Sequence, residues 1–278
     1  MCQSCAEGGR RCRDRRRLQQ LTTADLAPEP TEELPAVDWT TNGAQDGPEA
    51  VWRDYAPAIA TETIAVLAET RAAEQHTTAD VVDAIPAGAR PHGLEFRMKS
   101  PASLARKIRS RATTTAAAQH AGGLQGVSDK LTDLLRYTAV TEQHDDLPAT
   151  ASSTITTLES RGYTVVSAEH SYVAGNVYKG IHVLVQHGDE RPVEIQFHSE
   201  LSQAVKDENH VDYELERDRR TPYADRAAAH ERMTARSNEI PAPAGLEELT
   251  SIGGLPLVEK IYPNPYSVAH NETEETNR

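Results

Sequence analysis

The chain has 278 residues, 38% hydrophobic and 5% aromatic, with 16 Gly and 16 Pro, so part of its length is expected outside a packed core. A formal net charge of −13 argues against general coating of nucleic acid and against DNA as a partner, while leaving room for a local basic groove. No apolar run approaches the ~18 residues of a membrane span, and the arginine-rich start lacks the apolar stretch of a secretory signal. Without such a segment no membrane partner is expected; the three cysteines are too few and too clustered for a disulfide framework, and the cytoplasm is the default location.

In chain order, residues 1–46 mix a basic run (Arg10 to Arg17) with Pro, Thr, Glu and Gly and show no sustained periodicity, which predicts a disordered arm. Cys2 and Cys5 have zinc-knuckle spacing, but with Cys12 they supply only three ligands and the nearest histidine is His76. Chance cysteines, or a site completed by another chain, explain them as well. Residues 49–75 carry Ala, Val, Ile and Leu at helical spacing, with Pro57 suited to the first turn of a second helix, and Thr77 to Ile85 reads as a short helix ended by Pro86. Ser100 followed by Pro101 is an N-cap and N1 pair that predicts a helix start. Asp133 to Val140 reads as a strand opening on a carboxylate, and Thr150 to Arg161 as a helix stopped by Gly162. Tyr178–Val183 and Val193–His198 alternate apolar and polar residues around turn chemistry at His187–Pro192, the pattern of a β-hairpin. Helices follow over Ser199 to about Arg217 and Pro222 to Arg236, and the five prolines after Ile240 predict a loosely ordered acidic tail. The expected domain is 47–236, between the arm and a tail at 237–278. Its order of elements indicates an α/β (α+β) fold, a mixed sheet flanked by helices.

Two clusters carry candidate chemistry. Val193, Ile195 and Phe197 share one strand face and Glu194, Gln196 and His198 the other. A carboxylate between an amide and an imidazole on a buried strand costs free energy unless it has a partner such as a metal. The other reading is a half-exposed sheet with a polar wet face. The helix N-terminus at Ser100 presents free N–H groups to an anion, with Arg97, Lys99 and Lys107 around it, a set that could cradle a triphosphate or simply form a solvated basic helix.

These blocks do not stand alone. Arg97-Met98-Lys99-Ser100 through Lys107, Asp133-Leu134-Leu135-Arg136, Asn176-Val177-Tyr178 with His182, and Glu194-Ile195-Gln196 resemble, in order and spacing, the synthetase domain of the RelA/SpoT family over roughly residues 90 to 217. The resemblance implies a nucleotidyltransferase-like fold and an ATP-dependent pyrophosphokinase that needs Mg²⁺. It further implies Asp133 and Glu194 as catalytic and metal-binding carboxylates. Arg97, Lys99, Ser103, Lys107 and Arg136 would contact ATP. Asn176, Tyr178, Lys179, His182 and Gln196 would contact the acceptor, with Tyr178 stacking on its base.

The chain departs from the family at Ala174-Gly175-Asn176-Val177-Tyr178-Lys179-Gly180, where alarmone synthetases usually have Lys-Pro-Asn-Gly-Tyr-Gln-Ser. The Tyr-Lys-Gly-Ile pattern is similar to toxic small members of the family, which adds a tRNA 3′ end to GDP and GTP as acceptors and an antitoxin or neighbouring protein as a partner. No hydrolase block precedes the synthetase-like blocks. Two other readings stay open: a catalytically degenerate nucleotide-binding module, and a different effector enzyme such as an ADP-ribosyltransferase.

Overall fold

The structure is a computed structural model that describes residues 14–41, 44–114 and 123–267. Cys2, Cys5 and Cys12 lie outside the described residues. The described chain begins with short helices α1 (Arg15–Leu18) and α2 (Thr23–Leu26), then the paired strands β1 (Thr40–Thr41) and β2 (Ala44–Gln45). Within the segment expected as an arm, residues 14–41 lie along the domain and bury Leu18, Leu26 and Trp39. The Trp39 indole donates to the Met98 carbonyl at 3.0 Å, and the Ala27 carbonyl accepts from Arg71 at 3.1 Å. Three apolar anchors so widely spaced produce no periodicity in the sequence, although each is fully covered.

Helices α3 (Pro48–Asp54) and α4 (Pro57–Ala84) each begin on a proline, whose fixed φ suits the first turn. The break expected at Thr77 is absent, and α4 runs unbroken for 28 residues. Thr77 and Thr78 are buried, and the Thr78 hydroxyl bridges Glu74 (2.7 Å) and the Tyr137 hydroxyl (2.8 Å), so tertiary contact overrides the weak helix propensity of threonine. Strand β3 (Ala89–His92) follows, then α5 (Pro101–Thr114), α6 (Gly123–Ser128), β4 (Arg136–Thr141) and α7 (Leu147–Ser160). The chain continues as β5 (Tyr163–His170), β6 (Ile181–His187), β7 (Val193–Ser199), α8 (Glu200–Arg217), α9 (Tyr223–Asn238), β8 (Ser251–Ile252) and β9 (Leu255–Glu259).

Seven strands make one mixed sheet in the order β3-β4-β7-β6-β5-β9-β8. The centre is the expected hairpin, β6 antiparallel to β7, with β4 parallel to β7 on its other side. The apolar face of β7 (Val193, Ile195, Phe197) joins a core with Leu147, Ala151, Ile155 and Leu158 of α7. Its polar face (Glu194, Gln196, His198) turns toward α8. Within the expected tail, β9 pairs parallel with β5, and Ile240, Leu246 and Ile252 are buried. The β8–β9 turn is made by Gly253 and Gly254, both at positive φ (56° and 74°), the geometry a tight hairpin needs and β-carbons resist.

Candidate active site

The register of three strands assembles the site. Arg136 of β4 lies opposite Glu194 of β7, and Gln196 lies opposite both Thr138 of β4 and His182 of β6. Residues opposite one another share a face, so Arg136, Glu194, Gln196 and His182 line one surface. The His182 Nδ1 stands 3.2 Å from Glu194 Oε1, and the Gln196 amide donates to the same oxygen at 3.2 Å. Burial raises the Glu194 carboxyl, but the His182 hydrogen bond and charge, with the charge of Arg136, outweigh it and hold the group below its usual value.

Asp133 sits just before β4. Residues 97–99 pair alongside 134–136, with Lys99 N–H donating to the Leu134 carbonyl at 2.9 Å, and this brings Lys99 next to Asp133. Lys99 Nζ and Lys107 Nζ reach Asp133 Oδ2 at 3.0 and 2.7 Å. Burial raises the Asp133 carboxyl, yet the two ammonium groups prevail and pull it down to about 2, so it is ionised at neutral pH. Its Oδ1 is buried and has no hydrogen-bond partner among the described residues. A buried, ionised, unpartnered oxygen is the donor that Mg²⁺ favours, because the ion takes one or two carboxylates and fills its remaining positions with water and phosphate. Asp133 Oδ1 therefore fits that ion.

Tyr178 is tied in by its hydroxyl, 2.7 Å from His182 Nε2 and 2.5 Å from His198 Nε2, while His198 Nδ1 faces Ser202 Oγ at 3.1 Å. Two assignments satisfy the set: with a neutral His182, Ser202 donates to His198, His198 to Tyr178, Tyr178 to His182 and His182 to Glu194; with a charged His182, it donates to both Glu194 and Tyr178, Tyr178 to His198 and His198 to Ser202. Burial pushes the Tyr178 phenol well up and the His198 imidazole well down, so both are neutral links. His182 and His198 meet the tyrosine ring edge-on, with centroids 5.0 and 5.1 Å away. Gly180 is required here, since a β-carbon would stand 2.9 Å from His198 Cε1 and 3.2 Å from the Phe197 carbonyl.

Lys206 of α8, which the sequence reading did not single out, completes the surface. Its ammonium donates to Gln196 Oε1 at 3.0 Å and lies 5.8 Å from the Tyr178 ring centroid. Burial, then the neighbouring Arg136, lowers it to about 8. The available signal was spacing: Ser202 and Lys206 stand at i and i+4 on α8, neighbouring polar positions that face His198 and Gln196 of β7. Arg136 is exposed, and its guanidinium makes no hydrogen bond among the described residues.

Three expected contacts lie elsewhere, each for a physical reason. Arg97 is fully buried, held by Glu74 Oε1 (2.6 Å) and the carbonyls of Pro35 and Leu94 (both 2.8 Å); it braces α4 and the N-terminal segment. Asn176 is buried and spent on backbone, donating to the Ser171 and Lys260 carbonyls and accepting from Tyr262 N–H at 2.9 Å. Lys179 is buried and donates to the Val173 carbonyl within its own loop. The α5 N-terminus is also occupied, because the Asp46 carboxylate accepts from the Ala102 N–H at 3.0 Å and stands where a phosphate was expected. Ser103, one turn in, is half-buried, with its hydroxyl 3.5 Å from Arg106. The structure thus brings together Lys99, Lys107, Asp133 and, across β4, Arg136, Glu194, Gln196, His182 and Tyr178.

No protein-family model matches the chain, and no curated protein does. Solved structures of similar shape include the small alarmone synthetase 1 from Bacillus subtilis bound to its product pppGpp. It is 15% identical, with 63% of this chain and 91% of that one covered and a TM-score of 0.39. The complex of the Type VI effector Tas1 with its immunity protein is 20% identical over 68% of this chain and 95% of that one, with a TM-score of 0.33. A GTP pyrophosphokinase family protein from Streptococcus pneumoniae is 16% identical over 72% and 89%, with a TM-score of 0.35. A shared shape does not carry an activity across, because one fold hosts many chemistries.

Proposed function

We propose that the chain is a Mg²⁺-dependent pyrophosphotransferase that moves the β,γ-diphosphate of ATP to a guanosine nucleotide. One observation carries the reading. On a chain of net charge −13, four cations (Lys99, Lys107, Arg136, Lys206) surround two ionised carboxylates, Asp133 and Glu194, at adjoining strands. Such a surface suits a polyphosphate accompanied by a divalent cation. Asp133 Oδ1 and Glu194 would hold the ion, which supplies neutralisation of charge on the phosphate oxygens when bound.

The chain's own groups then do the following. Lys99, Lys107 and Arg136 hold phosphate oxygens as fixed positive charges, and ordering the donor next to the acceptor removes much of the entropic barrier. The acceptor hydroxyl oxygen forms a bond to the β-phosphorus while the bond from that phosphorus to the α,β-bridging oxygen breaks and AMP leaves. Glu194, oriented by His182 and Gln196, takes the hydroxyl proton. Tyr178 and Lys206 face the acceptor, the ring by stacking on the base and the ammonium by meeting its phosphates.

A mononucleotide acceptor is favoured over tRNA by the arginines near the end of α8. Arg217 and Arg220 pair with Glu214 and Asp218, each at 2.8 Å, which reduces the basic surface offered to an RNA backbone there to the exposed Arg219. The deciding experiment incubates the protein with Mg²⁺, γ-labelled ATP and either GDP, GTP or bulk tRNA. The expected result is label on GDP or GTP with AMP as co-product. Labelled tRNA would replace the acceptor assignment, and consumption of NAD without use of ATP would overturn the reaction.

A further inference from the structure

A second group of metal-ligating side chains lies away from this surface. His76 stands on the exposed side of α4, His187 ends β6, and Glu190 sits in the β6–β7 turn. Although 114 residues separate His76 from Glu190, His76 Nε2 is 3.0 Å from Glu190 Oε2. His187 Nδ1 approaches the same oxygen at 3.9 Å, and one donor atom from each of the three residues falls within 4.8 Å of the others. All three are half-exposed, at 42%, 42% and 38%, which leaves a path for an ion and a face open to water.

The donors are held by rigid neighbours. The turn is fixed by Glu190 N–H donating to the His187 carbonyl at 3.0 Å and by the Gln186 amide donating to the Glu190 carbonyl at 2.8 Å. The His187 ring packs on Tyr163, centroids 5.0 Å apart, and the Tyr163 hydroxyl donates to Asp80 of α4 at 3.1 Å. Two imidazole nitrogens and one carboxylate oxygen form a donor set suited to zinc, whose bonds of about 2.0–2.2 Å put tetrahedral ligand atoms about 3.4 Å apart. The separations from Glu190 Oε2 bracket that value, so small side-chain rotations close the set. Imidazole selects borderline ions such as Zn²⁺, Co²⁺ or Ni²⁺ and not the hard Mg²⁺.

We propose that His76, His187 and Glu190 bind one divalent transition metal, zinc by donor type, and that the ion staples the β6–β7 hairpin to α4 with a water in the fourth position. The site is distinct from the Asp133–Glu194 surface. His187 lies five residues along β6 from His182, roughly 16 Å at strand spacing. Because the hairpin carries His182 and Glu194, the bound metal stiffens the scaffold of the reactive surface without touching it.

The test uses the full chain stripped with chelator, alongside a Cys2→Ser, Cys5→Ser, Cys12→Ser variant that removes the thiols as competing ligands. Zinc is titrated against a chromophoric chelator, and the melting temperature is followed with zinc and with Mg²⁺. Both proteins should bind one zinc, gain several degrees of melting temperature, and resist millimolar Mg²⁺. Cobalt should give a visible spectrum of nitrogen and oxygen ligation in the cysteine-free protein. His187→Ala and Glu190→Gln in that background should each weaken zinc at least tenfold and abolish the thermal shift. The two variants act independently at exposed positions, so loss of folding in one leaves the other as the test. Binding that vanishes with the cysteines, or that survives both substitutions, overturns the proposal, as does displacement of zinc by Mg²⁺.

Discussion

Lys206 carries its charge at the expense of the fold. Burial and Arg136 lower its ammonium from 10.5 to about 8, so carrying the charge at pH 7 costs the folded state up to about 3 kcal/mol. The sign follows from proton counting. Between pH 8 and 10.5 the unfolded chain holds a proton that the folded chain has released, so stability contributed by this group rises with pH across that window. Lys206→Met is therefore expected to raise the melting temperature at pH 7 and to remove that rise, while turnover falls about tenfold or more; unchanged turnover would remove Lys206 from the site. In the parent protein turnover should decline as pH climbs through about 8. Arg97 is the opposite case. Its guanidinium and Glu74 form a buried pair at 2.6 Å, and deleting one partner of such a pair costs about 3–5 kcal/mol. Arg97→Met should thus lower the melting temperature steeply while the ATP affinity of the folded fraction holds, measured by calorimetry below the transition. A selective loss of ATP binding without loss of stability would restore Arg97 to the donor site. From the sequence an arginine two residues before a lysine reads as part of one basic cluster; that it turns inward depends on Glu74, a partner 23 residues upstream that no local pattern reveals.

Among the elements, those with strong periodicity were legible and those held by tertiary pairing were not. The β6–β7 hairpin, α7 and α8 follow from alternation, a glycine stop and a serine cap, because each depends on neighbours in sequence. Strands β3 and β9 span four and five residues and gain their stability by pairing with β4 and β5, information that sits far along the chain. The site loop between β5 and β6 depends on the same long-range pairing. Asn176 donates to the Lys260 carbonyl at 2.7 Å and accepts from Tyr262 N–H at 2.9 Å, which ties that loop to the segment after β9. Tyr262 in turn meets the Tyr178 ring edge-on at 6.4 Å. Asn176→Ala leaves the Lys260 carbonyl and the partly buried Tyr262 N–H without partners, at about 1–3 kcal/mol for each group left unsatisfied, while the Ser171 carbonyl keeps the Val173 N–H. The expected outcome is a lower melting temperature together with a fall in kcat, while KM for ATP stays within about twofold, because Lys99, Lys107 and Asp133 do not pass through this loop. A rise in KM for ATP as large as the fall in kcat would show that the loop shapes the donor side as well.

On the scale of the whole molecule, charge is the organising quantity. The chain is strongly acidic, yet Lys99, Lys107, Arg136 and Lys206 stand beside Asp133 or Glu194, while several arginines of α8 and α9 are matched by nearby acids: Arg232 and Arg236 bond Asp212, and Arg236 also reaches Glu208 at 2.8 Å. If the proposed acceptor is right, its affinity should depend on salt as a small polyanion's does and not as a long one's. Binding an RNA through six to ten phosphate contacts would lose roughly 10³–10⁵ in affinity between about 50 and 200 mM salt, because each contact releases a counterion. A guanosine nucleotide held by Lys206 and its neighbours makes far fewer such contacts, so the apparent affinity for GDP or GTP should fall by about tenfold or less over the same range. The measurement is acceptor affinity at several salt concentrations with ATP and Mg²⁺ held saturating, in the parent protein and in Tyr178→Phe. The phenylalanine ring keeps the stacking surface but lacks the hydroxyl that joins His182 to His198. It should therefore keep the shallow salt dependence and the acceptor affinity while losing turnover, since His182 is no longer held against Glu194. A steep slope in the parent would assign the acceptor to RNA, and full turnover in Tyr178→Phe would reduce the hydrogen-bonded chain to a structural brace.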